Sequence, residues 1–312
     1  MTASMKISVI TPSFNQAQFI ERTIESILKQ SYQDFTYLIC DGGSTDHTVE
    51  ILEAYHRKYP QLSYISEPDR GQTHAVNKGI LATAGEIIAW INSDDVYLPD
   101  TFAKVVQAFT DHPEALLVYG NGCHIDEHDQ FLNDYPVEPW NYQRLFQDCF
   151  LCQPAVFFKR SLVTKVGLLD ESFQYSMDYE YWLRCAKKTS PKTVFVYVPE
   201  VLAHSRFYAT NKTLSNRPRV FYESSLALKM HGGRVSDPLI LGHTIIMVDV
   251  QESTKNNKTP SRYNLIFFWN FLQTNLQIHW LWRQIPSPWA MGKLLKLFIK
   301  CCTFMSRPQV PK

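Results

Sequence analysis

The sequence predicts an α/β fold: a mixed, mainly parallel sheet with helices on both faces, followed by a helical C-terminal extension. Two observations predict the sheet. Short apolar runs alternate with helical patterns through the first half of the chain, joined by short connections. Three of those runs also lead into aspartate: Phe35–Cys40 into Asp41, Leu62–Ile65 through Ser66-Glu67-Pro68 into Asp69, and Ile87–Ile91 into Asn92-Ser93-Asp94-Asp95. Open sheets of this kind bind ligands in the crevice beyond the carboxyl ends of their strands. Carboxylates gathered there repel one another, so their presence points to a cation or to the polar edges of a nucleotide. A third observation predicts the extension. No acidic residue follows Glu252, while nine basic residues do, among many aromatics.

The elements follow in order. Ile7–Ile10 is a buried-strand run, expected to stop at Thr11-Pro12. A helix is expected over about 17–30, because Ile20, Ile24, Ile27 and Leu28 fall at helical spacing. Strand 35–40 comes next, and Gly42-Gly43-Ser44-Thr45-Asp46 is a turn with helix-capping chemistry. The helix it opens runs to about Tyr59, before Pro60. Strand 62–66, a helix near 73–83 and strand 87–91 complete a β-α-β-α-β-α-β series. Pro99 starts a helix ending near Thr110, and Leu116–Tyr119 is a strand. The polar segment from Gly120 to about Tyr142 is expected to hold antiparallel strands. Pro154–Phe158 reads as a strand, Tyr179–Lys187 as a helix, and Thr193–Val198 as a strand ended by Pro199. Residues 214–252 read as mainly helical.

The chain of 312 residues has 45% apolar and 20% charged residues and a net charge of +1, an ordinary globular balance that gives no reason to expect nucleic acid as a partner. Met1–Lys6 runs into a strand with no signal-like core, and seven cysteines, an odd number, fit reduced thiols. The expected location is therefore cytoplasmic. Cys149-Phe150-Leu151-Cys152 has redox or half-zinc spacing, but no second such pair completes a metal site, and the core reading is preferred. Tyr263–Trp282 has the length of a membrane span, yet seven polar residues interrupt it. With the basic, amphipathic Leu294–Lys300 it reads either as a surface for an anionic membrane, on the cytoplasmic face, or as a packed helical pair.

Several strand-end groups carry chemistry of their own. Asp41 is able to accept from an imide N–H, which uracil and thymine have and cytosine lacks. Gly42 and Gly43 permit close backbone approach. Asp46 is better explained as a helix N-terminal charge. Asn92-Ser93-Asp94-Asp95 offers hard oxygen ligands suited to Mg²⁺ or Mn²⁺, which use few protein carboxylates beside a diphosphate. No GxGxxG follows the first strand, which argues against a dinucleotide oxidoreductase, and Thr11–Gln18 lacks the basic residues of a triphosphate-binding loop.

In order and at matching strand ends, Ile7–Asn15, Asp41–Asp46 and Asn92–Asp95 resemble the nucleotide-binding half of family 2 glycosyltransferases. The resemblance keeps its spacing through Asp178, loosens to about Thr213, and does not reach the last hundred residues. It implies the GT-A (Rossmann-like) fold and an inverting transfer from a nucleotide-diphosphate sugar. It divides the chain into a glycosyltransferase domain at 1–213, with a donor half at 5–119 and an acceptor half at 120–213, and an extension at 214–312.

The resemblance also implies roles. Thr11, Pro12, Phe14 and Asn15 contact base and ribose; Asp41 reads the base; Asp69 lies near base or ribose. Asn92 and Ser93 position ribose and diphosphate, with Asn92 standing where the family has the first aspartate of Asp-x-Asp. Asp94 is the metal ligand, and Asp95 supports it or caps the turn. Asp178 matches the base that takes the acceptor proton, although Met177 replaces the glutamate usually before it. Gln153 lines the acceptor pocket. Trp182 stacks on a sugar or is core. Arg206 and Lys212 hold diphosphate on a closing loop. Tyr208 stands where many relatives carry a metal-binding histidine, and His204 is a displaced candidate. The expected function is transfer from a UDP-sugar, with Mn²⁺ or Mg²⁺, to a saccharide or lipid-linked saccharide in cell-surface polysaccharide or glycolipid synthesis. The competing reading is a catalytically silent sugar-nucleotide-binding scaffold at the membrane.

Overall fold

Among the described residues, nine strands form one sheet in the order β3-β2-β1-β4-β8-β6-β9-β5, with β7 paired to the far part of β6. The computed structural model describes residues 5–189 and 195–232, with isolated positions beyond. The strands are β1 (Ile7–Ser13), β2 (Phe35–Asp41), β3 (Leu62–Ser66), β4 (Ile87–Trp90), β5 (Val96–Tyr97), β6 (Leu117–Ile125), β7 (Phe131–Asp134), β8 (Val156–Lys159) and β9 (Phe195–Arg206). The helices are α1 (Ile20–Leu28), α2 (Thr48–Lys58), α3 (Gln72–Ala82), α4 (Thr101–Asp111), α5 (Tyr142–Leu145), α6 (Arg160–Val166), α7 (Met177–Lys188), α8 (Lys212–Ser215) and α9 (Arg217–Gly232).

β1 to β4 are parallel to one another; β8 runs antiparallel to β4 and β6, and β9 returns parallel to β6. The mixed, mainly parallel α/β sheet expected from sequence is present. Its helices cover both faces. Ile7 and Val9 of β1 pack with Ile20, Ile24 and Ile27 of α1, Leu52 of α2 and Phe102 and Val105 of α4. Leu38 and Cys40 of β2 meet Ala75 of α3 instead. This is the two-residue alternation of a strand buried on both sides.

The strand order fixes where a ligand can sit. The chain leaves β1 for β2 and β3 on one side, then returns to place β4 on the other. The order thus reverses between β1 and β4, and a crevice opens beyond their carboxyl ends. β4 pairs β1 only as far as Trp90 opposite Ile10, while β1 continues with β2 to Ser13 opposite Asp41.

Two strand ends differ from expectation, both at proline. β1 does not stop at Thr11-Pro12, because Pro12 lies where the β4 flank is already unpaired and its missing N–H costs no ladder bond. β9 does not stop at Pro199. The register shifts opposite Gly120 and Asn121, Pro199 falls in that irregularity, and the strand resumes with Val201 opposite Asn121. That continuation carries His204 to Arg206 alongside β6.

The chain divides into two compact units: residues 1–145 with 149–215, and residues 146–148 with 216–312. In the second, α9 is helical as expected for that stretch. The expectations for the basic-aromatic tail fall outside the described residues. Among the described residues, no helix is long and apolar enough to cross a membrane.

Candidate active site

The loop after β1 is clasped by the loop after β2. Ser44 Oγ accepts from the Asn15 amide at 2.7 Å, Asn15 Oδ1 accepts from the Thr45 amide at 2.8 Å, and Asp46 Oδ2 accepts from the Ala17 amide at 3.1 Å. Asn15 has a φ of 52°, a left-handed conformation that asparagine tolerates. The clasp presents Phe14, an aromatic that is 58% exposed. Thr11 and Pro12 are buried within β1, and Thr11 Oγ1 accepts from Tyr37 at 3.1 Å.

Asp41 is buried, and its own loop uses its oxygens. Oδ2 accepts from the amides of Gly43 at 3.1 Å and Ser44 at 2.9 Å and from Ser66 Oγ at 2.7 Å, while Oδ1 accepts from Ser44 Oγ. A carboxylate has about four acceptor positions, two on each oxygen, so these bonds saturate Oδ2 and leave Oδ1 one position. Asp69 lies against the same loop. Its Oδ1 accepts from the Gly71 amide at 2.7 Å, and a Cβ on Gly42 would fall 2.9 Å from its Oδ2. Gly42 therefore admits the second carboxylate.

Beyond β4, Asn92 is the hub of a polar network. Its Oδ1 accepts from Gln72 Nε2 at 2.6 Å and Trp90 Nε1 at 3.2 Å; its Nδ2 donates to Gln153 Oε1 at 3.0 Å and Asp95 Oδ2 at 3.2 Å. Gln153 Nε2 donates back to the Trp90 carbonyl at 2.8 Å. Lys212 reaches Gln72 Oε1 at 2.9 Å, and its ammonium lies 5.3 Å from the Tyr175 ring centroid. The structure thus joins Asn92, Gln153, Asp95 and Lys212, which lie far apart in the chain. Ser93 is buried in the turn between them.

Asp94 and Asp95 differ sharply. Asp95 is buried, and its Oδ1 accepts from the Arg206 amide at 2.8 Å. Asp94 is half-buried, and its Oδ2 accepts from the Tyr208 hydroxyl at 3.0 Å. Burial lifts the Asp94 pKa above the ordinary carboxylate value, against the pull of the Tyr208 donor and the Arg206 charge. Burial, and then the charge of Asp94, lift Asp95 well above that value. The pair is short of counter-charge.

Those observations fit a divalent cation. Among the described residues no three His, Cys, Asp or Glu side chains gather as a metal cage. Mg²⁺ and related cations need none: one or two carboxylates with substrate phosphates and water suffice. Asp94 would be the ligand, with Asp95 held behind it.

Three expected residues take other positions. Arg206 is not presented to a diphosphate. Its side chain is fully buried: Nε donates to the Asp94 carbonyl at 2.8 Å, Nη1 to the Asp126 carbonyl at 2.7 Å, and Nη2 pairs with Asp129 at 2.6 Å. Trp182 is core, 0% exposed and edge-on to Phe158 and Tyr181. His204 sits on β9 opposite Val96 and Cys123, and burial lowers its pKa. Tyr208, not His204, meets Asp94.

Asp178 is the second residue of α7 and half-buried. Burial raises the pKa of the Cys152 thiol, and the charges of both Asp95 and Asp178 add to the rise, so both carboxylates lie within electrostatic reach of the residue before Gln153. Neighbouring Glu180 faces elsewhere, in a buried pair with Arg184 at 2.8 Å.

Sequence reasoning gave no role to Ser13, Gln16 or Gln72. Ser13 Oγ and Gln16 Oε1 are buried without a hydrogen-bond partner among the described residues, at and just beyond the carboxyl end of β1. Buried oxygens are rarely left so unless something else supplies the donor. Their signal was position alone, in the strand-to-helix turn.

The comparisons agree with this geometry. The model for glycosyl transferase family 2 matches residues 8–164, half of the chain. A PGL/p-HBAD biosynthesis glycosyltransferase of Mycobacterium bovis is 24% identical over 217 residues, covering 69% of this chain and 82% of that protein. The chain spans about a quarter to two thirds of the length of other curated relatives. Staphylococcus aureus TarS 1–349, solved with UDP-GlcNAc, superposes with a TM-score of 0.57 at 14% identity, over 86% of this chain and 81% of that one. The mannosyltransferase PcManGT of Pyrobaculum calidifontis, solved with GDP-Man and Mn²⁺, gives 0.54 at 18% identity, over 98% and 84%. These superpositions show a shared fold, and with the family match over strands, loops and the Asn92–Asp95 turn, they establish that the chain belongs to glycosyl transferase family 2.

Proposed function

We propose that this glycosyltransferase moves a sugar, with inversion, from a UDP-sugar to a hydroxyl acceptor. The observation that carries the reading is the Asp94–Asp95 pair beyond β4 at the β1/β4 switch point, desolvated by burial, with Asp178 and Asp95 both within electrostatic reach of Cys152. TarS with UDP-GlcNAc and PcManGT with GDP-Man and Mn²⁺ support a nucleotide-sugar donor and a divalent cation. Carboxylate acceptors at Asp41 and Asp69 suit a base with an imide N–H, such as uracil.

Phe14, Asn15 and Asp69 line the nucleoside side, and Ser13 Oγ and Gln16 Oε1 offer buried acceptors to its hydroxyls. Asp41 reads the base through Oδ1, which accepts only from Ser44 Oγ within its loop. Lys212, held by Gln72, faces the diphosphate. Mn²⁺ or Mg²⁺ bound at Asp94 would offset the diphosphate charge and ease its departure. Asp178 takes the acceptor hydroxyl proton as that oxygen bonds to the sugar C1 and the C1–phosphate bond breaks, releasing UDP. Gln153 orients the acceptor beside it.

The likeness to the mycobacterial PGL/p-HBAD biosynthesis glycosyltransferase supports a glycolipid or cell-surface saccharide acceptor; the basic tail is the reason to place the enzyme on the cytoplasmic face of the membrane. Liposome flotation tests the tail. Loss of binding to anionic vesicles in a chain ending near Lys255 supports it, and equal flotation rejects it.

Calorimetric titration with UDP, GDP, CDP and dTDP, with and without Mn²⁺, tests the donor. Manganese-supported UDP binding lost in Asp94→Ala is expected. No diphosphate binding by a folded sample favours the scaffold reading. Asp178→Asn should keep UDP binding and lose turnover by about 10²–10⁴-fold; undiminished turnover rejects it as base.

A further inference from the structure

Tyr208 touches Asp94 and is fixed there by its surroundings. Its hydroxyl donates to Oδ2 at 3.0 Å. Its ring centroid lies 4.8 Å from that of Phe19, and the Arg206 guanidinium carbon lies 4.8 Å from the same Phe19 centroid. Gln16 stands beside the phenol as a second hydrogen-bonding group. Among the described residues, no other side chain donates to Asp94.

We propose that Tyr208 is a positioning residue that sets cation preference: it holds one Asp94 oxygen, turns the other toward the divalent cation, and leaves that cation an all-oxygen environment. This rests on the nucleotide–cation reading above. Two consequences follow from the chemistry. A hydroxyl donor fixes the carboxylate's orientation, so losing it leaves a half-buried Asp94 freer to rotate, which opposes cation binding. Carboxylate, phosphate and water suit Mg²⁺ and Mn²⁺ alike, whereas an imidazole nitrogen favours Mn²⁺.

The test is calorimetric titration with UDP in Mn²⁺, in Mg²⁺ and in EDTA. It compares the parent with Tyr208→Phe, Tyr208→His and Asp94→Ala, each checked for folding by thermal melting. The parent should accept both cations. Tyr208→Phe should weaken cation-supported affinity about 10-fold, with binding in EDTA unchanged. Tyr208→His should recover affinity in Mn²⁺ and not in Mg²⁺, a change in the ratio that a packing role would not produce. Equal affinities for parent and Tyr208→Phe in both cations would overturn the proposal, as would cation dependence surviving in Asp94→Ala. If the parent itself binds no UDP with either cation, the nucleotide–cation reading fails first and this inference falls with it. The parent titration therefore separates the two failures.

Discussion

Arg206 shows how much a single residue's role depends on where its donors go. Its guanidinium ties the Asp94 carbonyl to Asp126 and Asp129 of the β6–β7 turn, and its amide holds Asp95. Replacing it with alanine leaves two half-buried carbonyls and a carboxylate without their cation, and empties a fully buried site. Arg206→Ala should therefore lower unfolding free energy by about 3 kcal/mol or more, with Arg206→Lys intermediate, because an ammonium cannot span the three acceptors. Denaturant melts without nucleotide read this directly. Unchanged melts with weaker UDP binding would instead return Arg206 to the diphosphate. Trp182 divides in the same way. Trp182→Phe should cost about 1–3 kcal/mol of stability, by loss of packed volume, and leave the acceptor KM unmoved. A raised KM at unchanged stability would mean sugar stacking after all.

At the scale of elements, the site depends on α3 lying close to β1. Gly79 makes that approach possible: a Cβ there would fall 2.3 Å from Ile10 Cγ2, within a fully buried interface. Gly79→Ala gains about 1 kcal/mol of helix propensity, yet overpacking a core contact costs typically 1–3 kcal/mol. The expected net is destabilisation, with weaker UDP binding as α3 moves Gln72 away from Asn92. A melt at or above the parent midpoint would refute it. The same elements show what was legible in sequence. β1 to β4 are continuous apolar runs punctuated by glycine and proline, so local pattern found them. β5 has two residues and α6 has seven, so neither offered a period to read, whereas the antiparallel β6–β7 pair lies in the polar 120–142 segment where antiparallel strands were expected. Pro199 was misread because a bulge against β6, more than 70 residues away, absorbs it. The strand-end acids were legible for the reason β1 to β4 were. Which oxygens and donors stay available was not, since Asp41 Oδ2 is taken by Ser66, 25 residues on, and the Arg206 guanidinium by the Asp94 carbonyl, 112 residues back.

For the molecule as a whole, the site is a place where stability is given up. Burial and mutual repulsion make Asp94 and Asp95 bind protons more readily folded than unfolded. Between the ordinary carboxylate pKa of about 4 and the raised folded values, the native state carries more protons than the unfolded state. Stability therefore falls as pH rises through that window, and the full cost is present above it. Asp94→Asn removes one of the two charges while its amide oxygen still accepts from Tyr208. At pH 7 this variant should be more stable than the parent by about 0.5–2 kcal/mol, and the gain should shrink toward zero as pH is lowered to about 4. Carboxylates held low, such as Glu171 beside Arg70, titrate alike in both chains and cancel in the difference. Urea melts of the two proteins at pH 7 and near pH 4 measure it. A gain equal at both pH values would mean that the carboxylate is not strained by its charge. A variant more stable at neutral pH, yet unable to bind UDP with Mn²⁺, would mean that the folded chain tolerates this charge pair because the ligand needs it.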